Sequence, residues 1–411
     1  MAGGWKAVVS LACILGPALP ACAFTGTEVD AAAARTTGLR TVTRRLSSEA
    51  LLGRDNDTLE SAHVQRFLLR RLERLGPGLD ATRSGEDAYR QPFVQSGQTG
   101  TNLLAVIPGG ELPDEYVIVG AHYDHLDTRS DPDGKCTARG TPGGAVCNGA
   151  TDNAAGVAAV LTVGRSLRRL GGPPRRSVVL ALWDAEEDGL LGSLYYVTHP
   201  VVPLAKTVAY VNFDILGANL LPSLRTTSFA VGSETGGSVL EDMVDAAIGA
   251  EGLDTRRLSF IFGQLRSDYA NFVSHQVPTA FFSDATGGCY HTTGDDFALV
   301  NFPKLRAQSR IAFRLVVALA EAGTPPAFTP PDPALATYAD AVVLSEVVHR
   351  GGADLALFPP TDQALLQAID AGLAAIVADG PAQFDAADVS TLLGDAVQTL
   401  GALARLGCRP M

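Results

Sequence analysis

The stretch LWDAEEDGLLGS, residues 182–193, places Asp184, Glu186, Glu187 and Asp188 together where an apolar run stops. Like charges that close cost free energy unless water screens them or a cation lies between them. Four more segments carry ligand-type side chains in the same setting. VIVGAHYDHLD ends with His122 and Asp124, two residues apart and so on one face of an extended chain. NGATDNAAG puts Asp152 in the turn that opens a helix, AYVNFDILG ends with Asp214, and GGCYHTTGDD carries Tyr290 and His291. Singly, each has an ordinary explanation: an N-cap, a solvated acidic turn, a strand-end turn. All five in order on one chain read as a ligand set. Imidazole and carboxylate donors without thiolate suit zinc in an open site. Two such ions about 3.5–4 Å apart polarise a carbonyl and lower the pKa of a shared water towards about 7. A carboxylate beside a ligand, itself uncoordinated, can move that water's proton to a leaving amine.

The elements that must position these groups follow from apolar patterning. Residues 47–80 end in an amphipathic helix, with Leu68, Leu69, Leu72 and Leu75 on one face and Arg70, Arg71 and Arg74 on the other, stopped at Gly76. From residue 102, strands (NLLAVIPG, EYVIVGAHYD, RRSVVLALWD, TVAYVNFD, PTAFFSD) interleave with helices. Such interleaving predicts an α/β fold in three layers, with a mainly parallel central sheet covered by helices on both faces. Folds of that kind set their chemistry at the carboxyl ends of the strands.

The joint pattern of LLGR, GAHYDH, NGATDNAAGVA, DAEEDGLLGS, VNFDILG, RSDYANF and YHTTGDD resembles the co-catalytic dizinc exopeptidases of the bacterial leucyl aminopeptidase, aminopeptidase Y and glutamate carboxypeptidase type. The resemblance runs from about Leu46 to Ala322. It implies one Zn2+ on His122, Asp152 and Asp214 and a second on Asp152, Glu187 and His291, with Asp152 bridging; Co2+ and Mn2+ are alternatives. It further implies Glu186 as general base, Asp124 as the residue orienting His122, and Tyr290 as a group that stabilises the reacting carbonyl. Thr151, Asn153 and Tyr269 depart from the family pattern, none of them at a ligand. His125 is read as packing behind the ligands, and Asp184 and Asp188 as turn carboxylates.

Composition bounds the remainder. A net charge of −12 with no basic block argues against nucleic-acid binding. Lys6, an apolar run and the Ala21–Ala23 site predict a secretory signal over 1–23, and LPAC at 19–22 offers lipidation at Cys22 as the only membrane attachment. The expected location is periplasmic or extracellular. Cys136 and Cys147, eleven apart in a Gly/Pro-rich loop, are expected to pair, whereas Cys289 and Cys408 show no partner and Cys289 reads as a buried structural cysteine. A catalytic domain is expected over 24–323, a proline-rich linker over 324–333, and over 334–411 a helical extension packed on the catalytic body. His349 there reads as a surface or packing residue.

The leading function is an exported zinc aminopeptidase acting on peptides. A carboxypeptidase or dipeptidase would need a basic anchor, for which Arg266 is a candidate, although it could equally pair with Asp268. A glutaminyl cyclase-like acyltransferase and a non-catalytic binding protein of the same fold are the further alternatives.

Overall fold

Eight strands form one mixed sheet in the order β1-β2-β4-β3-β5-β8-β6-β7. They are β1 (Arg90–Gln95), β2 (Gln98–Ile107), β3 (Leu112–His122), β4 (Arg176–Trp183), β5 (Thr207–Phe213), β6 (Thr227–Val231), β7 (Asp254–Leu258) and β8 (Thr279–Ser283). The computed structural model describes residues 24–138, 144–332 and 335–409; the expected signal, with Cys22, lies outside them. The centre, β4-β3-β5-β8, is parallel, whereas β1, β2 and the β6–β8 pairing are antiparallel. The sheet is therefore parallel where the ligand-type residues lie and mixed towards its edges.

Alternation along the central strands divides two cores. Val117, Val119 and Ala121 of β3, Val178, Leu180 and Leu182 of β4, and Ala209, Val211 and Phe213 of β5 face one side. That side is covered by helices α1 (Gly26–Ala34), α2 (Leu39–Leu46), α3 (Leu59–Leu72) and α4 (Ala155–Leu167). Ile118, Val179, Ala181, Trp183 and Tyr210 face the other, against α5 (Leu191–Thr198). Later helices complete both layers: α6 (Gly237–Gly249) joins the first and α7 (Tyr269–Ser274) the second, while α8 (Phe302–Glu321) returns to the first. In α4 every residue but Arg165 is buried, as expected of a helix apolar on all sides. Each fully buried aliphatic side chain contributes roughly 1.5–3 kcal/mol, so two such cores give the strand ends a rigid base.

The strands β1 and β7 lack the apolar runs of the centre. β1 carries Pro92, which an edge strand tolerates, and β7 carries Asp254, Arg256 and Arg257. Those charges bind neighbouring helices: Arg257 pairs with Glu241 and Asp245 of α6.

Beyond residue 335 stand three helices, α9 (Tyr338–Gly351), α10 (Pro360–Asp379) and α11 (Ala386–Leu406). They share a small core of Ala341, Ile369, Leu373, Val389 and Leu392. Val347, Leu366, Leu403 and Leu406 instead enter the core on the second face of the sheet. Arg350 of α9 reaches Asp254 at 2.6 Å, and Asp340 accepts the Ser259 backbone N–H at 2.8 Å. Residues of the proline-rich stretch also touch the body, Thr329 N donating to Thr235 O.

Among the described residues there are two disulfides. Cys136–Cys147 joins as expected, with Cα atoms 5.8 Å apart. Cys289 and Cys408, read from sequence as partnerless, also pair across 119 residues. Separation in sequence concealed a contact that only the docking of α11 creates. At Gly288 a Cβ would fall 2.2 Å from the Gly407 carbonyl, so glycine is what lets the two segments meet. Replacing Cys289 and Cys408 together by Ser should cost about 2–5 kcal/mol in urea unfolding. A loss well below 1 kcal/mol would show that packing alone holds α11.

Candidate active site

Because β3, β4 and β5 run parallel, their carboxyl ends open on one edge, and each ends in a ligand-type residue. His122 closes β3, Asp184–Glu187 follow β4 and Asp214 follows β5. His122 pairs in register with Trp183, which brings the acidic turn level with the imidazole. Ala185 (φ 53°), Ile215 (φ 57°) and His291 (φ 54°) adopt left-handed backbone beside or within the cluster. For non-glycine residues that conformation costs about 1–2 kcal/mol each, and a β-branched Ile there is uncommon. It reverses the chain directly beside Glu186 and Asp214. The Asp152–Asn153 peptide is cis.

The side chains meet in two sets. His122 Nε2 lies 3.3 Å from Asp152 Oδ1 and 3.4 Å from Asp214 Oδ1. His291 Nε2 lies 3.4 Å from Asp152 Oδ2 and 3.1 Å from Glu187 Oε2. Asp152 thus turns one oxygen to each histidine. His291 Nε2 makes a hydrogen bond to neither carboxylate in spite of these distances, as a nitrogen aimed at a shared point between them would behave. Glu186 stands at the edge of the first set, Oε2 3.9 Å from His122 Nε2. Tyr290 stacks on His291 with ring centroids 3.7 Å apart, and its hydroxyl accepts from Arg266 Nη2 at 3.2 Å.

Neighbouring groups fix these positions. Asp124 lies beside His122 Nδ1 and accepts the Glu187 backbone N–H at 3.1 Å. Asp295 accepts the backbone N–H groups of Thr151 and Asp152, both at 3.0 Å, so it holds the turn that presents Asp152. His125 Nδ1 sits 2.7 Å from Glu187 Oε1. It therefore packs directly behind a ligand-type carboxylate, and with Asp152 and Glu187 it also brings three donor atoms within 4.8 Å of one another.

Arg54 is buried among this charge and spends its guanidinium on carbonyls. It donates to Leu46, Tyr123, Asn148, Gly149 and Asp152, joining the end of α2 to the segments that follow β3 and precede α4. Burial pulls its pKa down to about 10, with Asp152, Asp124 and Asp295 acting in the opposite sense. The adjacent Gly53 (φ 85°) has no room for a side chain, since a Cβ would sit 1.6 Å from the Leu126 carbonyl.

Two expectations need correction. Asp184 is no solvated turn carboxylate: it is fully buried, accepts the Thr101 N–H at 2.7 Å, and burial with Asp124 nearby pushes it up to about 8. Asp188 does behave as a surface group, paired with Lys135 at 2.7 Å. Arg266, for its part, makes no ion pair with Asp268 among the described residues but bonds to Tyr290. Asp268 is instead buried, which pushes it up to about 7. Arg54 and Asp295 were missed as organisers although both sit in the matching segments LLGR and YHTTGDD; nothing in a single sequence marks an arginine as bound to carbonyls.

The electrostatics fit a cation. Burial opposes charge on His122, yet Glu186, Asp214 and the hydrogen bonds that its ring donates to Asp124 and Asp152 raise its pKa well above the imidazole range. Burial raises Glu186 well above the carboxylate range, with Asp214, Glu187 and Asp268 adding to the effect. Asp152, although buried, is held well below that range by His122 and His291. More carboxylates converge here than the three imidazoles, His122, His125 and His291, and Arg54 offset. Hard oxygen and imidazole donors with no thiolate suit Zn2+ in such a place. Among the described residues, His122, Asp152 and Asp214 bring donor atoms within 4.8 Å of one another.

Known proteins share this arrangement of chain. The family model described as peptidase family M28 matches residues 102–316. Leupeptin-inactivating enzyme 1 of Streptomyces exfoliatus is 36% identical over 141 residues, covering 34% of this chain and 27% of that protein. Probable glutamate carboxypeptidase LAMP1 of Arabidopsis thaliana is 31% identical over 234 residues, covering 53% and 31%. The chain thus spans less than a third of the length of either relative. The LapA aminopeptidase of Legionella pneumophila has the same fold, with a TM-score of 0.56 at 19% identity over 72% of this chain and 75% of that one.

Replacing Arg54 by Met keeps most of the volume but leaves five buried carbonyls without their donor. The expected loss is about 3–5 kcal/mol in denaturant unfolding. A change under 1 kcal/mol would mean that water reaches those carbonyls.

Proposed function

The chain belongs to peptidase family M28, and from that membership we propose that it is an exported, zinc-dependent exopeptidase that removes N-terminal residues from peptides. The observation that carries the reading is Asp152, whose two carboxylate oxygens face His122 and His291 at 3.3 and 3.4 Å. One Zn2+ would rest on His122, Asp152 and Asp214, the other on Asp152, Glu187 and His291. When bound, such a pair supplies Lewis-acid polarisation of the scissile carbonyl and an acidified water.

The protein's own groups supply the rest. Glu186 lies next to Glu187 at the edge of the first set, its Oε2 3.9 Å from His122 Nε2, in a place where burial raises its proton affinity. It takes the proton from the attacking water and delivers it to the departing amine. Asp124 orients His122 and the Glu187 backbone, and His125 steadies the Glu187 carboxylate. Tyr290, held by Arg266, presents its hydroxyl to the same cavity and donates to the carbonyl oxygen as charge develops there. The surplus of carboxylates favours a substrate ammonium beside the scissile bond. Residues 24–323 would form the catalytic unit, and 334–411 an extension joined through 324–333.

Export is supported by two disulfides, which persist in oxidising compartments. Among the described residues no helix is long and apolar enough to cross a membrane. A carboxypeptidase reading keeps one observation in its favour: Arg266 lines the cavity and could anchor a substrate carboxylate.

Chelation should abolish hydrolysis of aminoacyl-arylamides, and re-addition of Zn2+ should restore it. Glu186→Gln should retain its metal by elemental analysis while kcat falls about 10²–10⁴-fold; near-normal turnover would remove Glu186 from the role of base. A peptide library read by mass spectrometry decides direction. Loss from the amino end supports the aminopeptidase, and loss from the carboxyl end the Arg266 alternative.

A further inference from the structure

The carboxylate–histidine cluster forms one part of the wall of a much larger cavity. That cavity, of about 210 Å³, has far more room than one water needs. From the sheet come Phe229, Val231, Leu258 and Phe281. The opposing surface belongs to the C-terminal helices: Leu344 and Val348 from α9, Leu366 and Leu373 from α10, Leu400 and Leu403 from α11. Against these apolar side chains α10 and α11 bring two carboxylates, Asp370 and Asp395. The bundle is fixed to the chemistry covalently, because Cys408 bonds to Cys289, the residue before Tyr290 and His291.

We infer that α9–α11 build the specificity wall of the site and select substrates whose N-terminal residue carries a large apolar side chain, aromatic or long aliphatic. The inference rests on the aminopeptidase reading above. A cationic amine is drawn to the carboxylate end, which sets the adjoining side chain at the mouth of the apolar chamber. A small side chain leaves that chamber filled with water in contact with leucine and phenylalanine. A large one displaces the water and buries its own surface, the more so the longer it is.

Two series test this on the full-length protein. Arylamides of alanine, 2-aminobutyrate, norvaline, norleucine, 2-aminooctanoate and 2-aminodecanoate should rise in kcat/KM by about fourfold per methylene until the chamber is full. Independently of turnover, n-alkylamines from ethyl to decyl should bind more tightly with length in calorimetry. Leu400→Trp and Leu344→Trp, which fill the chamber from two helices, should lower the ratio of 2-aminooctanoyl to alanyl kcat/KM at least tenfold and weaken decylamine; Leu400→Ala should move the optimum to a longer chain. Alanyl hydrolysis without any length dependence overturns the chamber while leaving the aminopeptidase in place. Failure to cleave any arylamide overturns the aminopeptidase, and the alkylamine series then decides the chamber alone: affinity that ignores chain length, or ignores both Trp substitutions, overturns it.

Discussion

Concentrated negative charge under little water is the constraint around which this molecule is arranged. Asp152, Glu186, Glu187, Asp214 and Asp268 converge at one edge of the sheet, with Asp124, Asp184 and Asp295 close behind. Nothing in an apolar core tolerates that without compensation. The compensation has three sources. Backbone N–H groups serve Asp184, Asp295 and Asp124. Imidazoles serve the inner carboxylates. Arg54 adds a full positive charge while tying five carbonyls together. What is left over is the affinity for cations that makes the site useful.

The parallel centre of the sheet is what permits the convergence. Strands that run the same way end on the same side, so a chain needs only to stop each apolar run with the right residue. The stops were plain in the sequence, since AHYD, LWDAEED and NFDIL each pass from buried apolar to acidic in one step. The edges were not plain. β7, DTRRL, has no apolar alternation because its charged side chains pair with α6 and α9 instead of facing a core. Periodicity reports burial, and an edge strand has little to report.

Within the site, identity of the ligand-type residues was legible and their surroundings were not. Asp184 looked like its neighbour Asp188, yet one is sealed beneath β2 and the other meets Lys135 at the surface. The distinction arises from which way the chain turns after Trp183, and that turn depends on a left-handed alanine which no propensity would choose. Arg54 acts through backbone carbonyls and Asp295 through backbone N–H groups and the Thr151 hydroxyl, so no charged partner elsewhere in the sequence signals either. The Cys289–Cys408 pair was hidden for the analogous reason that its partners become neighbours only after α11 has docked.

That last bond also has a temporal side. Synthesis runs from the amino end, so Cys289, with Tyr290 and His291 directly after it, is made 119 residues before Cys408. The loop that bears them gains its covalent anchor only after α9, α10 and α11 have been delivered. A nascent or carboxyl-terminally clipped chain lacks both the anchor and the roof over the cavity. The pocket therefore closes only once α11 and the cysteine behind it are in place.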